Sequence, residues 1–343
     1  MRLRWRLVLA LLACALCGSL AADQVRLQLS ERKVTAIAGV PGGSTLEPTK
    51  CSLEGNIFAR FGEIQPLAAP IVEITPSGST VTSFSLGSDL ENQDGSGTIT
   101  DFSPAEGGGM YALGRFRSGT KILHFSGGGG FESSASIDSK PHADFTQLVA
   151  LPSGTFFLSG TVVPSAGQEK RAGEALNLIV DDQGKLLREI KFPRDPRSQK
   201  IRKKNIKRTD SDIELNAPVS HGKASLGDDG NIYVMRASSP AVFFVLSPAG
   251  DLVRKFQVTS PLVKGTPWTF AVRKGRLAIQ FGRFETEDRP WEVVYRVVNA
   301  GDGQHLADYL PVPGRGSWAC YDGDNFLFLG AENQQEVIVR AAY

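Results

Sequence analysis

The chain is poor in the residues from which most reactive centres are built. Its 343 residues include only 4 histidines, 4 cysteines and 3 methionines. Two of the cysteines, Cys14 and Cys17, fall in the first 22 residues. A small scaffold stapled by many disulfides is therefore excluded, and no His or Cys stands at zinc-ligand spacing from either of the other two cysteines, Cys51 and Cys320. His-Glu-x-x-His, Gly-x-Ser-x-Gly and the phosphate-cradling Walker loop are all missing. The glycine runs Gly107–Gly109 and Gly127–Gly130 lack the Lys and Ser/Thr such a cradle needs, so they read as turns or bulges. Beyond residue 22 no apolar run is long enough to span a bilayer. Long apolar spacing at helical period is absent there too. An all-β chain is expected.

What the chain has instead is a repeated phrase. Asp228-Asp229-Gly230-Asn231-Ile232-Tyr233-Val234 returns in looser form around Gly55, Gly108, Gly154, Gly275 and Gly323. The six marker glycines are separated by 53, 46, 76, 45 and 48 residues. Four of these spacings approach the ~40–50 residues of one four-stranded propeller blade. Each phrase reads as strand, tight turn, strand, with Gly supplying the positive φ the turn requires. A second set of turns follows at Gly78, Gly184, Gly250 and Gly301. β-branched and aromatic runs such as Ala241–Leu246 and Val293–Val298 flank them, as strands demand. Six markers predict a six-bladed β-propeller, with five or seven blades as alternatives because the marker at Gly108 is degenerate. The last unit has room for three strands only. An orphan N-terminal strand, Val25–Leu29, is expected to pair into that last blade and close the ring, removing two open edges.

The layout resembles secreted six-bladed propellers of the NHL-repeat and TolB-like type, most closely over Leu226–Val258. That resemblance implies a fold and says little about activity. It also suggests where a site would lie, at the channel mouth where the inner strands begin. Candidates there are Asp101, His142, Asp144, His221, Trp268 and Trp318. Carboxylates and histidines can bind a metal, and tryptophans can stack on a flat ligand. The related gluconolactonase-like enzymes hold a divalent metal with Glu, Asn and Asp, a triad that cannot be mapped residue by residue onto this chain. Two readings stand: a binding or scaffold module without a cofactor, and a metal-dependent hydrolase or lactonase using one divalent ion such as calcium.

Residues 1–22 carry Arg2, Arg4 and Arg6, a short apolar core and small residues up to Ala22. This is the pattern of a secretory signal peptide, and it predicts a secreted or periplasmic mature chain of residues 23–343. A lipid anchor at Cys14 is the alternative. An exported chain meets an oxidising compartment. Cys51 and Cys320 each lie five residues before an Asn of their own marker, Asn56 and Asn325. They occupy equivalent positions in the first and last blades, so either a disulfide across the seam or two buried thiols is expected. A link over so long a loop is worth at most about 4–5 kcal/mol in the chain-entropy view.

Charge is uneven. The segment 194–208 holds eight basic residues against one acid, within an insertion of about 194–215 that accounts for the 76-residue spacing. Arg202, Lys203, Lys204, Lys207 and Arg208 form a candidate patch for an anionic polymer, set against the plainer reading of a solvated loop. The expected partner is an unidentified protein or glycan, and the expected state is a monomer.

Overall fold

The computed structural model describes residues 25–40, 45–61, 70–85, 97–163, 173–193, 223–283, 292–314 and 316–343. Among these the regular structure is entirely strand, arranged as six sheets around a central axis. From inner to outer edge, blade one comprises Thr45–Cys51, Ile57–Phe61, Ile71–Ile74 and Thr80–Phe84. Blade two comprises Thr98–Pro104, Met110–Phe116, Gly119–Phe125 and Phe131–Ser136. Blade three runs through Ala143–Ala150, Phe156–Val162, Ala175–Val180 and Leu186–Ile190, and blade four through Ala224–Leu226, Ile232–Arg236, Ala241–Leu246 and Leu252–Val258. Blade five contains Thr266–Arg273, Arg276–Arg283, Glu292–Asn299 and His305–Leu310. Blade six has Ser317–Tyr321, Phe326–Glu332 and Gln335–Ala342 and receives its outermost strand, Ser30–Ala36, from the N-terminal side. The expected six-bladed propeller, closed by an N-terminal strand, is the observed one.

The strand that seals the ring is not the one expected. Ser30–Ala36 pairs antiparallel with Gln335–Ala342, whereas Arg26–Gln28, inside the expected Val25–Leu29 strand, pairs parallel with His305–Leu310 of blade five. Ser30–Ala36 is polar and largely exposed because an outer strand packs against little. The apolar signal sits in its flanks: Leu29 and Ile37 are both buried, and their N–H groups donate to Leu310 O at 3.1 Å and Glu336 O at 2.8 Å. One short segment thus widens blade five and completes blade six.

The core is a ring of six apolar clusters, each lying between two neighbouring blades. The cluster between blades six and one joins Leu327, Leu329 and Ile338 to Ile57, Phe61 and Val72, so the closing seam is packed like the others. Second and third strands such as Ile57–Phe61 and Ala241–Leu246 are buried along their whole length, which explains their unbroken apolar runs.

A second device ties blades together at the periphery. The glycine in the later turn of blades one to five takes positive φ and rests on the outer strand of the preceding blade. Gly78 faces Thr35 and Ala36 of blade six, Gly129 faces Thr82 and Ser83, and Gly184 faces Ser136. Gly250 meets Ile190 and Gly303 meets Phe256 in the same way. In blade five that glycine is Gly303 rather than the expected Gly301. Blade six has no such turn, since its outer strand comes from elsewhere in the chain. At that place Arg26–Gln28 lies along blade five instead.

The basic insertion, with Arg202, Lys203, Lys204, Lys207 and Arg208, lies outside the described residues, as do His221, residues 1–22 and Cys14.

Candidate functional site

The inner strands of all six blades line one cavity of about 110 Å³ on the propeller axis. Its wall draws on residues 49–53, 103–104, 148–150, 223–226 and 269–273, together with Trp318, Ala319 and Tyr321. Most of these come from the later half of each inner strand. The cavity therefore lies toward the end of the channel bearing the marker turns, and half-exposed Leu53 of the first such turn borders it. The wall is mainly apolar, with Leu148, Val149, Leu226, Phe270 and Trp318. Among the described residues its charged members are Lys50, Lys223 and Arg273.

Lys50 reaches across two blade boundaries. Its ammonium lies 2.6 Å from Asp101 Oδ2 in blade two and donates to Leu148 O in blade three at 3.2 Å. Asp101 is 1 % exposed, and the same Oδ2 accepts the Leu148 N–H at 2.7 Å. Its other oxygen, Oδ1, is buried with no hydrogen-bond partner. Burial pushes the Lys50 ammonium below the usual lysine range; Asp101 pulls it back up, and the like charge of Lys223 lowers it further. Arg273 spans another gap: it belongs to blade five, yet it donates to Ser52 O in blade one and to Val272 O. It is 9 % exposed, and no carboxylate forms an ion pair with it among the described residues. Burial lowers its pKa as well, offset in part by the more distant Asp228 and Glu54.

Of the five expected rim residues that are described, Trp318 alone lines this cavity, and Asp101 sits one ion pair behind it. The Trp318 indole donates to Cys320 O at 2.7 Å and packs edge-on against Tyr295. Asp144 pairs with Arg115 at 2.7 Å. His142 is exposed, and its carbonyl accepts the Val163 N–H at 3.0 Å. The Trp268 indole donates to Thr266 Oγ1 at 3.2 Å and covers Gly282, where a Cβ would strike the ring. Asp101, Asp144, Trp268 and Trp318 each have a hydrogen-bond or ion-pair partner of their own. Among the described residues no three His, Cys, Asp or Glu side chains form a metal-binding group. Asp101 Oδ2 already balances the Lys50 ammonium, and among the described residues its free Oδ1 is not joined by two further His, Cys, Asp or Glu side chains.

Lys50, Lys223 and Arg273 were not among the expected site residues. A signal for the first existed: five residues before the marker glycine, blade three has Val149 and blade four has Ser225, whereas blade one has Lys50. Charge at a position that is small or apolar in the sister blades marks a departure from the repeat.

The repeated phrase itself does structural work. Asp229 accepts the Asn231 N–H at 3.1 Å, the Tyr233 hydroxyl at 2.9 Å and Arg254 at 3.0 Å. Burial pushes its carboxyl up, but these hydrogen bonds together bring it below the usual carboxylate range. Burial and the Asp229 bond raise the Tyr233 phenol to about 12. Asp228 accepts the Lys274 N–H at 2.6 Å and so links blade four to blade five. At the seam the structure joins Cys51 to Cys320, with Cα atoms 6.0 Å apart, and Cys51 borders the cavity.

No protein-family model matches the sequence, and no curated protein matches it. Solved structures do match in shape. A member of the DUF4221 family from Bacteroides vulgatus superposes with a TM-score of 0.53 at 9% identity, over 93% of this chain and 98% of that one. A luciferin-regenerating enzyme gives 0.52 at 10% identity, over 91% and 95%. A gluconolactonase-like protein gives 0.50 at 12% identity, over 93% and 94%. At such identities the likeness is one of fold alone: the chain is a six-bladed β-propeller.

Proposed function

We propose that this protein is an exported binding propeller whose ligand enters the axial cavity, and that it has no catalytic centre of its own there. One observation carries the reading: all six inner strands converge on a cavity whose polar groups are committed to one another and to main-chain atoms. Lys50, Asp101 and Arg273 hold blades in register. Among the described residues none of them shares a hydrogen bond with a side-chain hydroxyl or a second carboxylate, as acid–base or covalent catalysis would need. The test is to fill the cavity. Ala319→Trp should keep the circular dichroism and melting of the mature chain but abolish the saturable thermal shift given by any binding member of a small-metabolite panel. Hits that survive the substitution, or no hit at all, would sink the reading.

Export rests on residues 1–22. A fusion of that segment to a periplasm-dependent reporter should be active, and the mature chain should begin at Asp23. The basic segment 194–208 is proposed as a separate patch for an anionic polymer. Deleting it should cut retention on a sulfated polysaccharide column, and unchanged retention would remove the idea. The metal-dependent alternative is tested by metal content: stoichiometric calcium lost in Asp101→Ala or Asp144→Ala would replace the binding reading with an enzymatic one.

A further inference from the structure

One lysine on the cavity wall stands where the blade repeat does not ask for it. At the position of Lys50, blade three has Val149 and blade four has Ser225. All three residues line the cavity. The Lys50 side chain is 16 % exposed, whereas that of Asp101 behind it is 1 % exposed. A molecule in the cavity thus meets the amine, and the acid lies behind the amine. Their 2.6 Å hydrogen bond is a path for a proton. Transfer from Nζ to Oδ2 leaves a neutral amine beside a neutral acid, and burial penalises neither as it penalises the ions. Burial also lowers the Lys50 pKa, offset in part by Asp101, which is the setting of lysines that act as nucleophiles. The wall around the amine includes Leu148, Val149, Leu226 and Phe270. Such a surround keeps water from a covalent adduct that water would hydrolyse. A buried water needs about 10–15 Å³, so 110 Å³ admits a ligand of on the order of eight heavy atoms.

We infer that Lys50 captures a small aliphatic aldehyde in the axial cavity as a reversible imine, with Asp101 as its proton partner and counter-ion. This deepens the binding reading and rests on it. The Lys50 ammonium gives one proton to Asp101 Oδ2. The freed Nζ lone pair adds to the carbonyl carbon, and the carbonyl π pair moves to its oxygen. A second proton passes from nitrogen to that oxygen, giving a carbinolamine. Asp101 then returns its proton to the hydroxyl, the C–O bond breaks, water leaves and the nitrogen lone pair forms the C=N bond. The sum is ammonium plus aldehyde to protonated imine plus water, with Asp101 again a carboxylate beside the cation. The same steps in reverse release the aldehyde, so the site holds its ligand without turning it over.

The experiment uses the mature chain, residues 23–343, in dilute hexanal with cyanoborohydride, which reduces an imine to a stable secondary amine. Peptide mapping should find a hexyl group on Lys50 at least tenfold faster than on any other amine of the chain. Naphthaldehyde, whose fused rings exceed the cavity, should show no such preference. Ala319→Trp should slow hexylation of Lys50 at least tenfold and leave the other lysines unchanged, with circular dichroism showing the variant folded. Lys50→Arg, which keeps a cation for Asp101, should remain folded and lose the fast phase of total incorporation. The naphthaldehyde comparison needs no variant, so it decides even if a substitution fails to fold. Hexylation of Lys50 no faster than that of other lysines, or a preference that persists with naphthaldehyde or in folded Ala319→Trp, would overturn the imine, while the binding reading would still stand or fall on the metabolite panel. Loss of the Lys50 preference, with Ala319→Trp also without effect on that panel, would remove both.

Discussion

The wall and the axle of this propeller are held together by different chemistry. Between blades the wall is apolar: six clusters of buried aliphatic and aromatic side chains, one per boundary, with the turn glycines pressed on neighbouring strands outside them. Around the axis the ties are polar and few. Lys50 joins blades one, two and three, Arg273 joins five to one, and Ala224 N–H donates to Gln147 Oε1 between three and four. The wall repeats; the axle does not. Redundant apolar contacts give stability that degrades one side chain at a time. A buried ion pair is all or nothing, because removing one partner strands the other.

That contrast can be broken in measurable steps. The largest effect is expected at the seam, where Cys51 and Cys320 close a loop of 269 residues in sequence separation. Replacing both with Ser should cost up to about 5 kcal/mol in denaturant unfolding, and a loss below 1 kcal/mol would show that packing alone seals the ring. Next is the wall: Phe244, fully buried and 4.7 Å from Phe192, should cost about 4 kcal/mol as Ala. Phe244→Ala combined with Phe281→Ala, in different clusters, should be additive. The axle should behave otherwise. Asp101→Asn should cost about 3 kcal/mol by stranding Lys50, and Lys50→Met in the same chain should restore most of it, so that the pair is far from additive. Additivity there would erase the distinction between wall and axle. Gly184→Ala should cost about 2 kcal/mol, since the position holds φ +77 and a Cβ would meet the Ser136 carbonyl.

The smallest effect concerns acid. Asp229 has a folded pKa held below its unfolded value, net of burial, by its hydrogen bonds. Its contribution is therefore complete above pH ~4 and is lost as pH falls through the folded value. Unfolding midpoints of the parent should slope downward below that pH, and Asp229→Asn should flatten the slope slightly. An unchanged slope would mean that Asp229 does not report on folding.

The wall was legible in the sequence because it is periodic. Marker glycines, later turns and apolar third strands set the blade number. Where a segment departed from that period, legibility failed. Ser30–Ala36 was missed because an outer strand exposed to solvent needs no apolar alternation, and its neighbours Leu29 and Ile37 carry the burial. The rim candidates were chosen for the chemistry of their side chains, yet Asp144 and Trp268 find partners within their own surroundings. The axial cations were missed because a lysine or arginine inside a strand looks like any solvated charge. Only comparison with the sister blades, Val149 and Ser225 against Lys50, sets one apart.

The double use of residues 26–36 has a consequence for biosynthesis. These residues leave the ribosome before their partners, His305–Leu310 and Gln335–Ala342, which follow about 300 residues later. At ~5–20 residues per second this is a wait of roughly 15–60 s, during which blades one to four can form while the ring stays open. The nascent molecule is thus an arc with two sticky ends, and translocation in an extended state would postpone the risk of one arc capturing another. A circular permutant that opens the chain at the turn Lys274-Gly275 and joins the present ends would move the seam and shorten that wait for the current blade six. Its refolding yield at high concentration would show how far joining the ends early limits cross-capture.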